Sequence, residues 1–322
     1  MSETFFIAGG AGFIGSNFVR FLREKKPRAK IVVFDALTYA GNLENLRGVD
    51  HDFVRGDISK KPEVFAAFEK FLPNFVVNFA AETHVDRSIL GPEIFVETNI
   101  RGTQNLLEAT RKFEIQKYLQ ISTDEVYGDL GDTKNTFFTE KTPLRPNCPY
   151  AASKAGADLL VKSYFETYKT PVLITRCTNN YGPFQFPEKL IPFFLTKILA
   201  DEPVPMYGDG KNVRDWLFVR DHCRAILMVL EKGKLGDIYN IGGHNEKTNL
   251  EITKILFQKL GKPEKIIFVK DRLAHDRRYA MDASKIEREL GWRPEFPFEK
   301  WIDETISWYL ENQKWVENCL SR

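Results

Sequence analysis

The sequence predicts an α/β protein: a doubly wound parallel sheet with helices on both faces, followed by a smaller, discontinuous α/β C-terminal domain. Three observations carry this expectation. Short β-branched or aromatic runs alternate with longer helical patterns, as in parallel sheets joined by crossover helices. Most of those runs are apolar throughout, so both faces of each strand should be covered. After Tyr181 the texture changes: Pro183, Pro187, Pro192, Pro203 and Pro205 cluster, and helical patterns are joined by irregular segments.

Taken in order, FFIAG (5–9) reads as the first strand, and a glycine-rich turn leads from it into a helix over 13–25. KIVVFDA (30–36), DFVRGD (52–57) and FVVNFAA (75–81) follow as strands, with a helix over 62–71 before the last of them. A helix over 93–113 precedes KYLQIST (117–123), and another over 150–168 precedes VLITRC (172–177). A helix over 219–231 leads to IYNIGG (238–243), which returns to the sheet. Further helices are expected near 188–200, 249–260, 283–290 and 298–317. One domain should comprise 1–178 plus 217–243 and the other 179–216 plus 244–322. Ligands of open α/β sheets bind beyond the carboxyl ends of the strands, so the cleft is expected between the two.

The bulk composition narrows the function. The 322 residues are 43% hydrophobic and 28% charged with a net charge of +2, an ordinary globular balance that gives no electrostatic reason to expect nucleic acid or an anionic membrane. Cys148, Cys177, Cys223 and Cys319 are far apart and form no Cys-x-x-Cys pair, which suits reduced thiols in a cytoplasmic protein. The five histidines show no metal-ligand spacing, so no metal is expected. MSETFFIAGGAGFIGS lacks a basic n-region and does not read as a signal peptide. No window approaches the roughly 20 apolar residues of a membrane span.

Gly9, Gly12 and Gly15 follow the first strand with G-x-x-G-x-x-G spacing. Such glycines allow a tight turn, close approach of the backbone to a pyrophosphate, and close packing of helix on strand. Asp35 ends the second strand, where a carboxylate binds a ribose 2′-hydroxyl and repels a 2′-phosphate, so NAD is expected rather than NADP. Asp57 and Ile58, after the third strand, are placed to bracket the adenine. Tyr150 and Lys154 form Y-x-x-x-K on one face of a helix. An ammonium there is expected to stabilise the phenolate and draw the tyrosine down from about 10. Upstream, ISTDEVYG places Asp124 and Glu125 side by side at a strand end. Neighbours on a regular strand face opposite ways, so both can serve one substrate only if the chain turns there.

GGAGFIGS, FAAETHVDRS, ISTDEVYG, PYAASKA and TNNYGP together resemble the extended short-chain dehydrogenase/reductases, over essentially the whole chain. Within them the chain looks like the nucleoside-diphosphate-sugar 4,6-dehydratases. Thr123-Asp124-Glu125 is the dehydratase pattern, whereas related epimerases carry no acid pair there and decarboxylases carry Ser-Glu. FQFPEKLIP, PVPMYGDGKNVRDWLFVRD and AHDRRYAMD match the substrate half. The resemblance implies a Rossmann-like sheet, NAD as cofactor, and a nucleotide sugar as substrate, dTDP-glucose first with UDP-glucose as the alternative. It further implies that Tyr150 deprotonates the sugar 4-hydroxyl, Glu125 removes the C5 proton, and Asp124 protonates the departing 6-hydroxyl. An NAD-dependent 4-epimerase or decarboxylase is the rival reading.

By the same resemblance Thr123 should touch the 4-hydroxyl and Thr83 the sugar. Phe13, Ile14, Ala80, Ala81, Thr98 and Asn180 go to the cofactor, along with Tyr150 and Lys154. Asn179, Lys189, Leu190, Pro205, Tyr207, Arg214, Asn249, Asp271, Arg272 and His275 go to the nucleotide sugar. A guanidinium fork at Arg214 suits a diphosphate. Two positions depart from the family pattern: Thr83 where Ser is usual, and DRLAH where Asp-Arg-Pro-Gly-His is usual, which changes the turn chemistry. His84 is expected to be structural and the tryptophans to be core or interface. A homodimer through the helices near 93–113 and 150–168 is expected, as is common in the family.

Overall fold

The structure, a computed structural model, describes residues 3–321. Its strands begin with β1 (Thr4–Ala8), β2 (Lys30–Asp35), β3 (Asp52–Arg55), β4 (Phe75–Asn78), β5 (Lys117–Thr123) and β6 (Val172–Cys177). They continue with β7 (Asn179–Tyr181), β8 (Val204–Tyr207), β9 (Val213–Phe218), β10 (Ile238–Ile241), β11 (Glu246–Thr248) and β12 (Ile266–Val269). The helices are α1 (Phe13–Lys25), α2 (Lys61–Phe71), α3 (Val85–Leu90), α4 (Glu93–Phe95), α5 (Thr103–Lys112) and α6 (Pro149–Tyr168). In the second half lie α7 (Leu190–Leu199), α8 (Val219–Lys232), α9 (Asn249–Lys259), α10 (Ser284–Leu290), α11 (Phe298–Glu311) and α12 (Gln313–Leu320).

Seven strands form one parallel sheet in the order β10-β6-β5-β4-β1-β2-β3. This is the doubly wound parallel sheet expected from the alternating pattern. The winding reverses between β1 and β4, so the loops after those two strands part and open a crevice at the carboxyl edge. Side chains alternate along β1: Phe5 and Ile7 join the core shared with α1 and α8, while Phe6 and Ala8 join the core shared with α2, α5 and α6. Each fully buried Phe or Ile contributes roughly 1.5–3 kcal/mol. A strand dry on both faces cannot alternate in polarity, which is why these runs are continuously apolar.

A second core gathers Tyr181, Phe194, Trp216, Phe218, Leu256 and Tyr309 from β7, β9, α7, α9 and α11. Its strands form a three-stranded sheet, β11-β9-β7, and a parallel pair, β12-β8. None of the five was expected from the sequence. β7 and β11 have three residues each, β8 carries Pro205, and β9 has Arg214 and Asp215 in its first half, so no apolar run announces these four; β12 is a short apolar run, IIFV, four residues long. Trp292, with Ala283 and Ile286, packs on the core of the large sheet, and its Nε1 donates to the Asp221 carbonyl at 3.2 Å.

Two expected helices are interrupted. The one over 93–113 is split by a π-turn at Val96–Gly102, which adds a residue to the turn. Asn99 there is 2% exposed and clamps the backbone of Glu82 in both directions, at 2.9 and 3.0 Å. The one over 298–317 stops at Asn312, whose side chain donates to the Trp308 carbonyl at 2.8 Å. The chain then restarts as α12, and Trp315 Nε1 donates to Asn45 Oδ1 at 2.8 Å. Short α3, also unexpected, is capped by His84, whose Nδ1 accepts from Arg87 N–H. Among the described residues no helix is long and apolar enough to cross a membrane.

Candidate active site

The crevice opened by the strand order is floored by the glycine loop. Gly9 has φ +74°, and a Cβ there would stand 2.4 Å from the backbone nitrogen of Ala80. A Cβ on Gly15 would stand 2.2 Å from the Gly9 carbonyl oxygen, so both positions exclude any side chain. Gly12 is the N-cap of α1, with no side-chain cap and no acid in the first turn. The first-turn N–H groups, those of Phe13 and Ile14 among them, lack helical partners and present a partial positive charge. This is a cradle for an anionic group such as a pyrophosphate.

Gly9, Gly12, Phe13, Ile14, Gly15, Ala81, Tyr150, Lys154 and Asn180 line one cavity of about 280 Å³. Asp35, Asp57, Ile58, Ala80 and Thr98 are not among its lining residues. Asp35 is 8% exposed; its Oδ2 accepts from Ala11 N–H at 2.9 Å and its Oδ1 from Leu37 N–H at 2.8 Å. Its carboxylate thus already ties the end of β2 to the glycine loop, and only its remaining lone pairs are left for a ribose. Asp57 Oδ1 accepts from Ser59 N–H at 2.8 Å. The Ile58 side chain is buried, 2.5 Å from where a Cβ on Gly102 would lie.

The acid pair lies on a 3-10 turn, Asp124–Tyr127, that begins where β5 ends. Successive residues there are about 120° apart, not opposed as on a strand, so both acids can lean toward one side. Thr123 caps the turn: its Oγ1 accepts from Glu125 N–H at 3.3 Å and donates to Asp124 Oδ1 at 3.1 Å. Gly128 closes it at φ +87°, where a Cβ would meet the Arg145 carbonyl oxygen at 2.3 Å. Asp124 is 2% exposed, and its Oδ2 has no hydrogen-bond partner among the described residues. Burial, and then the neighbouring Glu125, raise Asp124 well above the usual carboxylate range. Burial also raises Glu125, but Arg272, Arg214 and Lys189 pull it back. Both acids are raised, Asp124 more strongly: Arg214 opposes the rise there, whereas Arg272, Arg214 and Lys189 all oppose it at Glu125. This suits Asp124 to hold a proton and Glu125 to accept one.

Cys148 and Pro149 start α6, with Cys148 Sγ accepting from Ala151 N–H at 3.4 Å. Tyr150 and Lys154 follow one turn apart, both buried. The Lys154 ammonium donates to the Ile121 carbonyl at 2.7 Å. The Tyr150 phenol is pushed well above 10, by burial first and then by Glu125, so the expected lowering by Lys154 does not prevail in the protein alone. Burial in turn lowers Lys154, against the opposing charge of Asp158.

A second cavity, about 510 Å³, is lined by Thr83, Asn179, Lys189, Leu190, Pro205, Tyr207, Arg214, Asn249, Arg272 and His275, together with Glu125. Of the residues expected on the sugar, Thr123 lines the first cavity instead. Asp271 lines neither; its Oδ1 lies 2.6 Å from His275 Nδ1 and orients that ring. Arg214 is 5% exposed, and its two terminal nitrogens donate to the Val213 and Asp276 carbonyls. Lys189 Nζ donates to the Thr83 carbonyl at 3.1 Å. Ala274, in the DRLAH departure, sits at φ +49°, the left-handed region a glycine would occupy without strain.

Sequence reasoning missed Gln185, Glu188, Trp216 and Tyr279, all of which line the second cavity. Glu188 accepts from the Tyr39 hydroxyl at 3.0 Å and lies 3.4 Å from Arg87. Its place inside FQFPEKLIP, next to Lys189, was the available signal. Trp216 and Tyr279 are scattered aromatics whose position only the fold reveals. Among the described residues no cluster of His, Cys, Asp or Glu could hold a metal ion.

The raised acid has a thermodynamic consequence. Above the ordinary aspartate value of 3.8, the folded chain keeps a proton that the unfolded chain has released. Stability attributable to Asp124 therefore falls as pH rises through that window. An Asp124→Asn variant escapes this cost, so its melting temperature relative to wild type is expected to climb as pH rises from about 4 toward the raised folded-state value. Thermal melts of both proteins across that range check it; a flat difference would mean Asp124 is not held protonated.

The family model described as GDP-mannose 4,6 dehydratase matches residues 6–305. A protein named dTDP-glucose 4,6-dehydratase from Xanthomonas campestris pv. campestris strain B100 is 51% identical, over 98% of this chain and 96% of its own. The crystal structure of DesIV, a dTDP-glucose 4,6-dehydratase from Streptomyces venezuelae with NAD bound, superposes with a TM-score of 0.94 at 47% identity, covering 98% of this chain and 100% of that one. A UDP-glucose 4-epimerase from Thermus thermophilus, in complex with NAD, reaches a TM-score of 0.90 at 31% identity, covering 96% and 100%.

Proposed function

The chain belongs to the nucleoside-diphosphate-sugar 4,6-dehydratases of the GDP-mannose 4,6 dehydratase family, and from that premise we propose that it converts dTDP-glucose to dTDP-4-keto-6-deoxyglucose with NAD. The observation that carries this is the turn bearing Asp124 and Glu125, set beside Tyr150 and Lys154 on one cavity wall. An epimerase or decarboxylase has no step that needs a proton donor at C6. The residues fit the cofactor: a side-chain-free glycine cradle, a helix N-terminus without competing acids, and Asp35 at the end of β2.

NAD held by the glycine cradle with Tyr150 and Lys154 beside it would supply a hydride acceptor for sugar C4 and a hydride donor for C6, leaving loss of water as the net reaction. The protein's residues move the protons. Tyr150 takes the proton of the 4-hydroxyl as C4 becomes a ketone, which makes the C5 proton acidic. Glu125 removes that proton, and Asp124 gives its own to the 6-hydroxyl, which leaves as water and forms the C5–C6 double bond. Glu125 then returns a proton to C5. Thr123 orients the 4-hydroxyl, and Arg214 faces the diphosphate. In this reading 1–178 plus 217–243 hold the cofactor and 179–216 plus 244–322 hold the nucleotide sugar.

Incubation with dTDP-glucose and, separately, UDP-glucose tests the reading through the alkali-induced absorbance of a 4-keto-6-deoxy product. Product from dTDP-glucose is expected; none from either sugar would overturn it, and a faster rate with UDP-glucose would reassign the base.

A homodimer belongs to the same proposal. It is supported by Leu90, Ile94, Val96, Leu159 and Tyr168, exposed between 49% and 88% on or beside the helices expected to pair. Light scattering at micromolar concentration should give twice the mass of one chain, and a single-chain mass counts against it. Cytoplasmic placement is supported by the buried thiols of Cys148, Cys177 and Cys223, and cell fractionation tests it.

A further inference from the structure

Behind the face that meets the sugar lies a group of buried polar side chains that no step above uses. Asp158 follows Lys154 by one turn on α6, as Lys154 follows Tyr150, and it is 2% exposed. Arg176, on β6 and 3% exposed, donates from Nε to Asp158 Oδ2 at 2.9 Å. Ser122 Oγ donates to the same oxygen at 3.0 Å. Arg176 Nη1 donates to the Tyr127 hydroxyl at 2.9 Å, and that hydroxyl donates to Asn240 Oδ1 at 2.7 Å. The guanidinium also lies over the Tyr127 ring, 4.8 Å from its centre.

Stability alone is a weak reason for such a pair. Apolar residues of similar volume are often as stable as a buried ion pair or more so, because both charges must be desolvated. The placement of these bonds supplies a better one. Ser122 stands two residues before Asp124, and Tyr127 stands two residues after Glu125. Arg176 pairs with Ser122 across β5 and β6, so one guanidinium and one carboxylate reach both flanks of the acid turn. The same carboxylate belongs to the helix that carries Tyr150 and Lys154, and its charge supports the Lys154 ammonium against burial.

We propose that Asp158, Arg176 and Tyr127 are positioning residues for the elimination, a buried clamp that fixes the turn bearing Asp124 and Glu125 against the helix bearing Tyr150 and Lys154. The proposal rests on the dehydratase reading. Catalytic groups must be held close to their productive geometry, and a misplacement of about 1 Å can cost on the order of 100-fold in rate. A short turn at a strand end has few intrinsic restraints, so its two acids need fixing from behind.

Tyr127→Phe removes one hydroxyl and keeps the ring, which is stacked on Phe138 at 5.0 Å. With dTDP-glucose and the NAD-loaded enzyme, kcat is expected to fall roughly 10-fold with KM within about twofold. Reduced nicotinamide should accumulate during turnover, since the proton transfer of the C4 oxidation goes to Tyr150 on α6 and uses neither Asp124 nor Glu125. Ser122→Ala, which leaves the ion pair intact, should shift the same partition by a smaller factor. An unchanged kcat in Tyr127→Phe, or a fall without accumulation of reduced nicotinamide, overturns the clamp. Wild-type enzyme run alongside separates the two failures: active wild type with an unshifted partition overturns the clamp alone, and inactive wild type overturns the dehydratase reading along with it.

Discussion

Asp124→Asn is expected to slow product formation by about 10²–10⁴-fold, the usual contribution of a general acid, while the first oxidation survives. Asparagine keeps the size and hydrogen-bonding capacity of the side chain but has no proton to give to the leaving 6-hydroxyl. Asp124 is suited to that role because burial and Glu125 raise it well above the usual carboxylate range, and because its Oδ2 has no hydrogen-bond partner among the described residues. Stopped-flow absorbance of reduced nicotinamide is the measurement. A rapid rise that decays slowly is expected in the variant, where wild type should show little accumulation. If the rise itself disappears, Asp124 serves the oxidation instead and its assignment fails.

Tyr150→Phe should do the opposite. Without the phenol oxygen the 4-hydroxyl has no base, so both product and reduced nicotinamide should fall, again by about 10²–10⁴-fold. The same stopped-flow trace then stays flat. The protein alone holds Tyr150 as the neutral phenol; its activation requires positive charge from Lys154 and from whatever enters the cavity beside it. A Tyr150→Phe variant that still builds up reduced nicotinamide at the wild-type rate would remove Tyr150 from the base role.

Much of this was legible before the structure. The strands of the large sheet announce themselves because burial on both faces demands continuous apolar runs. The glycine loop announces itself because Gly9 and Gly15 stand where no Cβ fits. Asp124 and Glu125 were legible as a pair whose common aim needed a turn at the strand end; the form of that turn, set by the Thr123 cap and Gly128 at positive φ, is what a strand pattern does not encode. Asp35 and Asp271 show a different limit. Residue type and spacing identify a carboxylate but not its partners, and here backbone N–H groups and His275 have claimed oxygens that sequence reasoning left for ligands. The π-turn at Val96–Gly102 and the short strands of the second core lie below the resolution of any periodicity.

The position of Trp292 has a bearing on how the chain is made. Ala283, Ile286 and Trp292 complete a core whose first members are Phe5 and Ile7, and β10 reaches the sheet only at residue 238. On the ribosome, the amino-terminal strands must wait for Ala283, Ile286 and Trp292 before that core is finished. Until those residues emerge, the core between β1 and the helices α1 and α8 stays open on the side that Trp292 covers.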